Sequence, residues 1–171
     1  RRRVDDVVRV YSDGGGISFG GYGEDVRAAQ AAMNRPHFMS LLADEWLPTM
    51  PDVVARLRAE PPAFIADVGC GCGWSSIALA RAFPKVRVHG FDLDEASILD
   101  ARINAEIEGV ADRVTFEVRD AATAAPGAYD LVCVFEALHD TARPADVLAA
   151  VRAMAGPDGA VEETRPGVGG F

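Results

Sequence analysis

The segment F-I-A-D-V-G-C-G-C-G-W-S-S-I-A-L-A-R-A-F, residues 64–83, combines a strand, a turn and a helix. Residues 64–68 form an apolar run of strand length, and the apolar residues of 74–83 recur at helical spacing. Between them lie three alternating glycines, Gly69, Gly71 and Gly73. Glycine lets the backbone turn tightly and approach a ligand closely, and the helix N-terminus offers unpaired N–H groups. The segment therefore predicts the entry to a nucleotide-binding βαβ unit.

The spacing of these glycines indicates which nucleotide the turn accepts. A dinucleotide fingerprint reads G-x-G-x-x-G, and its helix start holds a pyrophosphate. Here the pattern is D-x-G-x-G-x-G, with Asp67 two positions before the first glycine. A carboxylate at that position repels a pyrophosphate but suits a ligand that carries an ammonium or sulfonium charge. The ordered pattern of acid, glycines and helix resembles motif I of the class I S-adenosylmethionine-dependent methyltransferases.

The composition predicts one globular domain with an acidic surface. The chain has 171 residues, of which 49% are hydrophobic and 25% charged, and this balance is ordinary for a soluble protein. Its formal net charge is -9, and nearly all of that charge lies after residue 62. Such a surface attracts neither nucleic-acid phosphates nor anionic lipid. With no membrane-length apolar run and no visible signal peptide, we expect a cytoplasmic protein without nucleic-acid or membrane partners.

The cysteines and histidines predict neither a disulfide framework nor a metal site. Cys70 and Cys72 form a lone C-x-C inside the glycine turn, and no second pair lies at zinc-ligand spacing. Cys133 stands alone, and His37 and His89 have no partner at a useful spacing. Free thiols in a reducing cytosol are the simplest interpretation. We therefore expect no metal.

The first 62 residues are predicted to be a mostly helical segment. Apolar residues at helical spacing indicate helices over residues 4–11, 24–34 and 38–46 and from residue 51 onward. Pro36 is placed to begin the third of these helices. Residues 17–23 form a Gly/aromatic loop that is either a linker or a lid over a small-molecule pocket. The helices either cap this pocket or only cover a face of the sheet.

Residues 63–161 alternate strands and helices after the opening unit. Further strands are indicated at residues 86–91, 114–118, 129–135 and 160–161. Asp94 and Pro144 are placed to begin the intervening helices, whereas the connection between the third and fourth strands is brief. This order predicts an α/β fold, a Rossmann-like open parallel sheet with helices on both faces. Residues 162–171 are polar and glycine-rich and predict an irregular tail.

In such sheets the ligand lies outside the carboxyl ends of the strands, so the residues that end them are the candidates for binding. Asp92 ends the second strand, where a carboxylate can accept both hydrogen bonds of a ribose diol. This position alone does not separate adenosylmethionine from NAD. A helix-entry cap is the alternative, and it suits Asp94 better than Asp92.

The class I resemblance implies roles for four further residues in binding S-adenosylmethionine. Asp120 resembles the acid that meets the adenine amino group, with Ala121 offering its backbone; a solvated turn aspartate is the alternative. Leu93 then lies against the adenine face. Phe135 ends an apolar strand followed by an x-x-L-H segment, and in small-molecule class I methyltransferases a similar strand borders the methyl donor.

Two polar residues after the fourth strand are candidates for catalysis. His139 is either a general base poised near neutral pH or a structural hydrogen-bonder, and Glu136 is the other group expected to face the substrate. Methylases of exocyclic base amines end this strand with an Asn/Asp-Pro-Pro-aromatic run, and cytosine C5 methylases use Pro-Cys. Neither motif occurs here, which again disfavours nucleic acid.

The resemblance covers residues 63–161 and implies methyl transfer from S-adenosylmethionine to a small-molecule acceptor. A weaker resemblance, over the N-terminal helix and D-V-G-C-G, is to a bacterial subgroup of small-molecule methyltransferases. The common fold has a sixth and a seventh strand that residues 162–171 have no room for, and no Met begins the chain, so truncation at both ends is expected. The alternatives are an inactive module that retains cofactor binding and an NAD-dependent oxidoreductase. The acceptor and the oligomeric state stay open.

Overall fold

Six helices and five strands form the part of the chain that the computed structural model describes, residues 4–13, 17–120, 123, 127, 129–141 and 143–164. The helices are α1 (Val4–Asp13), α2 (Glu24–Leu41), α3 (Pro51–Arg58), α4 (Trp74–Ala82), α5 (Glu95–Ile107) and α6 (Pro144–Met154). The strands are β1 (Phe64–Val68), β2 (Arg87–Asp92), β3 (Val114–Val118), β4 (Tyr129–Phe135) and β5 (Ala155–Thr164).

The five strands form one parallel sheet in the order β3-β2-β1-β4-β5. The chain runs outward in one direction from β1 to β3 and then crosses back to begin β4 on the other side of β1. Connections therefore diverge between β1 and β4, where Asp67 is paired with Gly90 on one side and Cys133 on the other. This is the predicted Rossmann-like open sheet, and its ligand crevice is expected at that divergence.

Both faces of the sheet are covered by helices, which explains the continuous apolar runs of the central strands. One face carries Ile65 and Leu131 and packs against α4, α5 and the N-terminal helices. The other face carries Ala66 and Val132 and packs against α6. None of the described helices is both long enough and apolar enough to cross a membrane.

Helices α2 and α3 and the turns between them share the core of the sheet domain. Phe38, Leu42, Leu47 and Leu57 are buried in the same cluster as Ile65 of β1. These four side chains therefore pack across the predicted boundary at residue 62.

The prediction that Pro36 begins a separate helix is wrong, because Pro36 lies inside α2. Proline lacks an N–H and its ring crowds the preceding turn, which normally ends a helix. Here Phe38, two residues later, is buried against the sheet, and this packing favours continuation of the helix. The helix instead ends in a π-helical turn, Leu42–Trp46, and a 3-10 turn, Leu47–Thr49.

The last strand is longer than the sequence predicts. Pairing with β4 extends from Ala155 to Thr164, so the irregular tail expected from residue 162 is wrong for 162–164, and 165–171 lie outside the described residues. Tyr129 pairs with Ala155 but Leu131 with Ala160, which places residues 156–159 in a bulge within β5. Backbone pairing with β4 does not require apolar side chains, so hydrophobicity alone missed this extension.

Candidate cofactor-binding site

A cavity of about 1030 Å³ lies at the carboxyl ends of β1, β2 and β4. Helix α2 and residues 17–20 close its opposite side. It brings together seven residues that the sequence predicts for the site, Gly69, Gly71, Asp92, Leu93, Asp120, Phe135 and Glu136. The candidates from the ends of four strands, β1 to β4, therefore share one cavity, as the parallel topology requires.

The glycine loop after β1 forms the floor of this cavity and is fastened to β2. The amides of Gly69 and Cys70 both donate to the Phe91 carbonyl oxygen, at 2.7 and 3.1 Å. Gly71 has a φ of 51°, and a Cβ atom built on it meets no atom within 4 Å. Since Gly71 lines the cavity, its side-chain position opens onto space that a ligand can fill. The loop thus offers a backbone cradle that fits a small ligand.

Gly73, which the sequence predicts as a ligand-binding residue, has a packing role in the structure. It does not line the cavity. A Cβ atom on Gly73 would lie 2.7 Å from the Phe116 ring and 2.9 Å from the Ala101 side chain, and the φ of Gly73 is 81°. Only glycine therefore allows α4 to start this close to β3 and α5. A third glycine has the same packing role in the dinucleotide fingerprint.

Asp67 lies beneath the glycine loop and also does not line the cavity, although the sequence predicts it as a ligand-binding residue. Its side chain is 1% exposed. The hydroxyls of Ser75 and Ser76 both donate to its Oδ2 at 2.6 Å, which fixes the first turn of α4 to the end of β1. Its Oδ1 is buried and has no hydrogen-bond partner among the described residues. Burial raises the pKa of Asp67, and the two serine hydroxyls oppose this shift.

The raised pKa of Asp67 gives a testable pH dependence of stability. The unfolded-state pKa is near the ordinary 3.8 and the folded-state pKa lies above it, so the folded state binds the proton more tightly. The stability that protonated Asp67 contributes is therefore lost as the pH rises from 3.8 through the folded-state pKa. We expect Asp67→Asn to gain stability relative to the parent protein across this window, measured by urea unfolding at a series of pH values. Asp52→Asn, at an exposed carboxylate, is the matched control and should show no such trend.

Asp92 and Asp94 have separate roles at the end of β2. Asp92 accepts hydrogen bonds from the Gly71 amide on Oδ2 at 2.8 Å and from the Asp94 amide on Oδ1 at 2.9 Å. Burial raises the pKa of Asp92, and these two amides oppose the shift. Asp94 caps α5, because its Oδ2 accepts from the amide and hydroxyl of Ser97 at 3.1 and 2.7 Å. The prediction that Asp94 caps this helix is confirmed.

Leu93 and Asp120 border the same cavity from the ends of β2 and β3. Leu93 is 72% exposed, so a flat ligand can cover an apolar side chain at this rim. The Asp120 carbonyl oxygen accepts from the amide and hydroxyl of Thr123 at 2.9 and 2.7 Å. Ala121, whose backbone the sequence analysis assigns to the ligand, lies outside the described residues.

The end of β4 forms an aromatic and acidic wall. The Phe135 ring lies 5.7 Å from the Phe38 ring and 6.3 Å from the Trp46 ring, centre to centre. Glu136 has a φ of 55°, the one left-handed backbone among the described residues that are not glycine. Such a conformation is strained and is concentrated at functional sites. His139 does not line the cavity, and its Nε2 is 3.7 Å from Asp140 Oδ2. The geometry thus favours Glu136 over His139 as the polar group that faces a substrate.

The N-terminal segment forms one wall of the cavity. The sequence alone left open whether this segment caps the pocket or only covers the sheet. Residues 17–20 line the cavity, and Gly20 approaches the Asp94 carboxylate so closely that a Cβ there would lie 2.7 Å from Oδ1. Arg27 also lines it and donates from Nε to Asp100 Oδ2 at 3.0 Å. Sequence reasoning missed Arg27 and Phe38, because their partners are distant in the chain and no local pattern links them.

The cysteines near the cavity are held as thiols. Burial raises the pKa of Cys70 and Cys133 well above the ordinary value, and that of Cys72 to about 11. A protonated thiol is a poor nucleophile and a poor metal ligand. Within the described ranges, no cluster of three or more His, Cys, Asp or Glu residues is arranged to hold a metal ion.

A 3-2-1-4-5 parallel sheet, a glycine cradle after β1 and carboxylates at the ends of β2 and β3 define a class I, Rossmann-like methyltransferase domain. The chain belongs to the family described as Methyltransferase domain, whose model matches residues 66–161. The predicted resemblance is confirmed, and nothing supports the oxidoreductase alternative.

Related proteins agree with this family. The chain is 40% identical over 96 residues to a ubiquinone biosynthesis O-methyltransferase of Bordetella bronchiseptica, covering 56% of this chain and 39% of the relative. The solved structure of a candidate O-methyltransferase of Nostoc punctiforme superposes with a TM-score of 0.69 at 23% identity. That superposition covers 95% of this chain and 48% of the Nostoc chain.

A S-adenosylmethionine-dependent methyltransferase of Geobacter sulfurreducens, solved with S-adenosyl-L-homocysteine, superposes with a TM-score of 0.53 at 26% identity. That superposition covers 68% of this chain and 47% of the solved one. The chain thus spans about two fifths of the length of the Bordetella relative and about half of each solved structure.

Proposed function

We propose that this chain binds S-adenosylmethionine in the cavity and transfers its methyl group to a small-molecule acceptor, with oxygen as the nucleophile. The observation that carries the proposal is the convergence of Gly71, Asp92, Leu93 and Asp120 on one cavity beside a divergence of parallel strands. The structure with S-adenosyl-L-homocysteine supports the donor, and the name of the Bordetella relative supports oxygen as the nucleophile. A location in the cytoplasm and the absence of nucleic-acid partners stay predictions from the acidic composition.

The donor would be held by residues whose chemistry matches its parts. Asp92 would accept the ribose hydroxyls, since each of its oxygens already accepts one amide bond and retains a further lone pair. Asp120 would accept from the adenine amino group, and Leu93 would cover the adenine face. The Gly71 cradle would hold the amino-acid end, above the buried negative charge of Asp67.

S-adenosylmethionine supplies an electrophilic methyl group on a sulfonium centre. The residues of this chain would hold the acceptor in line with that group and keep water away from it. Phe38 and Phe135 form the apolar wall for this purpose. The acceptor hydroxyl loses one proton as its oxygen gains the methyl group, and Glu136 is the proposed group to receive that proton. The neutral thioether S-adenosylhomocysteine then leaves.

Calorimetry with the purified full chain tests donor binding. We expect S-adenosylhomocysteine to bind with a dissociation constant in the micromolar range, about -8 kcal/mol, and NAD to show no heat of binding. NAD binding without binding of either adenosyl compound would overturn the proposal. A second step, with isotope-labelled donor and a panel of phenols, amines and acids, separates catalysis from binding alone. Donor binding without any transfer would favour the inactive module.

A further inference from the structure

Carboxylates dominate the charged groups of the cavity wall. The negative side chains are Asp92, Asp94, Asp120, Glu136, Asp140 and Asp146, and the positive ones are Arg27, Arg119 and Arg143. This count is made over the described residues of the wall. Negative groups outnumber positive ones two to one, and an anionic ligand therefore meets a repulsive field.

Each of the three guanidinium groups also lies beside a carboxylate. The pairs are Arg27 with Asp100 at 3.0 Å, Arg119 with Glu117 at 3.6 Å and Arg143 with Asp146 at 3.3 Å. Recognition of a carboxylate or phosphate normally uses an arginine that presents its fork to the ligand. Here an anionic acceptor would have to compete with a protein carboxylate for every arginine of the wall.

The acceptor end of the cavity carries most of this imbalance. If Asp92 and Asp120 hold the donor, the acceptor is left with the end of β4 and the start of α6. That region contributes Glu136, Asp140 and Asp146 against the single cation of Arg143. Its apolar part is the ring pair Phe38 and Phe135, against which a flat ring can pack. Apolar walls strengthen the field of nearby charges because they exclude water.

We propose that the acceptor is an apolar, ring-bearing small molecule that is neutral or cationic, and that the cavity rejects acceptors bearing a carboxylate or phosphate. This inference rests on the proposed methyl transfer and specifies the substrate class of the same site. It excludes polyanionic organic acids and organic phosphates as acceptors, although both are chemically capable of accepting a methyl group on oxygen.

Three catechols that carry a neutral, a cationic or an anionic substituent at the same ring position test the proposal. 4-Methylcatechol is neutral, 4-(2-aminoethyl)catechol is cationic, and 3,4-dihydroxyphenylacetate is anionic at pH 7. Each would be titrated into the full chain saturated with S-adenosylhomocysteine at low ionic strength. We expect the anion to bind at least about tenfold more weakly than the neutral compound, and the difference to shrink as salt rises. The cation should bind at least as tightly as the neutral compound.

A double variant, Asp140→Asn with Asp146→Asn, shows whether the wall carboxylates cause the discrimination. It removes two negative charges and leaves Arg143 without its carboxylate partner. We expect the penalty for the anion to fall from about tenfold to about threefold or less, with little change for the neutral compound. Asp112→Asn with Asp158→Asn is the matched control, because both residues are exposed and outside the cavity wall. The control should keep the full penalty.

The possible failures of the two proposals differ in what is measured. Loss of S-adenosylhomocysteine binding would contradict the proposed function itself. Normal donor binding with equal or tighter binding of the anionic catechol would overturn the acceptor class alone. Normal donor binding with no binding of any catechol would also overturn it, because the ring-bearing acceptor would be wrong. An unchanged penalty in the double variant would show that the wall carboxylates do not set the preference.

Discussion

Asp92→Ala is expected to weaken S-adenosylhomocysteine binding at least about 100-fold in calorimetry. Two hydrogen bonds from ribose hydroxyls to an ionised carboxylate contribute about 1.5–3 kcal/mol each, and both are lost in the alanine variant. The effect has a second source in the loop itself. The Gly71 amide donates to Asp92 at 2.8 Å, so the substitution also releases the cradle from the end of β2.

Asp92→Asn separates the two contributions to this effect. The amide oxygen can still accept from Gly71, but the charge is lost and one acceptor becomes a donor. We expect a loss of about tenfold, between the parent protein and the alanine variant. Thermal unfolding checks that each variant is folded before affinities are compared. An alanine variant that is folded and binds the donor with parental affinity would show that Asp92 does not contact the ribose.

The sequence predicts the sheet and most of the cavity because the relevant signals are local. An acidic residue or a glycine turn after an apolar run marks the carboxyl end of a strand. In a parallel sheet these carboxyl ends lie at the same edge. Gly71, Asp92 and Asp120 reach one cavity for this reason. Asp94 is likewise identified as a cap from its position directly before the second helix of the sheet domain, and its hydrogen bond from the Ser97 amide confirms this.

What the sequence did not predict depends on contacts between distant segments. Asp67 and Gly73 both belong to the motif. Asp67 is buried and accepts hydrogen bonds from two serines, and Gly73 packs on the Phe116 ring. The spacing of the motif does not distinguish residues that line the cavity from residues that support it. Pro36 continues a helix because Phe38 is buried against the sheet. The pairing of residues 162–164 depends on backbone hydrogen bonds to β4, and the polar side chains of these residues do not predict such bonds.

Alanine at Gly73 and alanine at Gly71 are expected to affect stability and donor affinity to different extents. Gly73→Ala places a methyl group 2.7 Å from a buried Phe116 ring at a φ of 81°, so it combines overpacking with backbone strain. We expect it to lower the free energy of unfolding by about 3 kcal/mol, measured by urea denaturation. Gly71→Ala meets no atom within 4 Å and carries only the strain of a φ of 51°, about 1 kcal/mol.

Donor affinity is expected to invert this order. The added methyl group of Gly71→Ala occupies open space at the cavity lining, so it should weaken S-adenosylhomocysteine binding about tenfold or more in a folded protein. Gly73→Ala, measured at a temperature where it stays folded, should bind within about threefold of the parent protein, because its position does not line the cavity. Equal losses of affinity in both variants would mean that the ligand touches the start of α4. A stable Gly73→Ala variant would mean that Phe116 can move aside, and the packing account of this glycine would then be wrong.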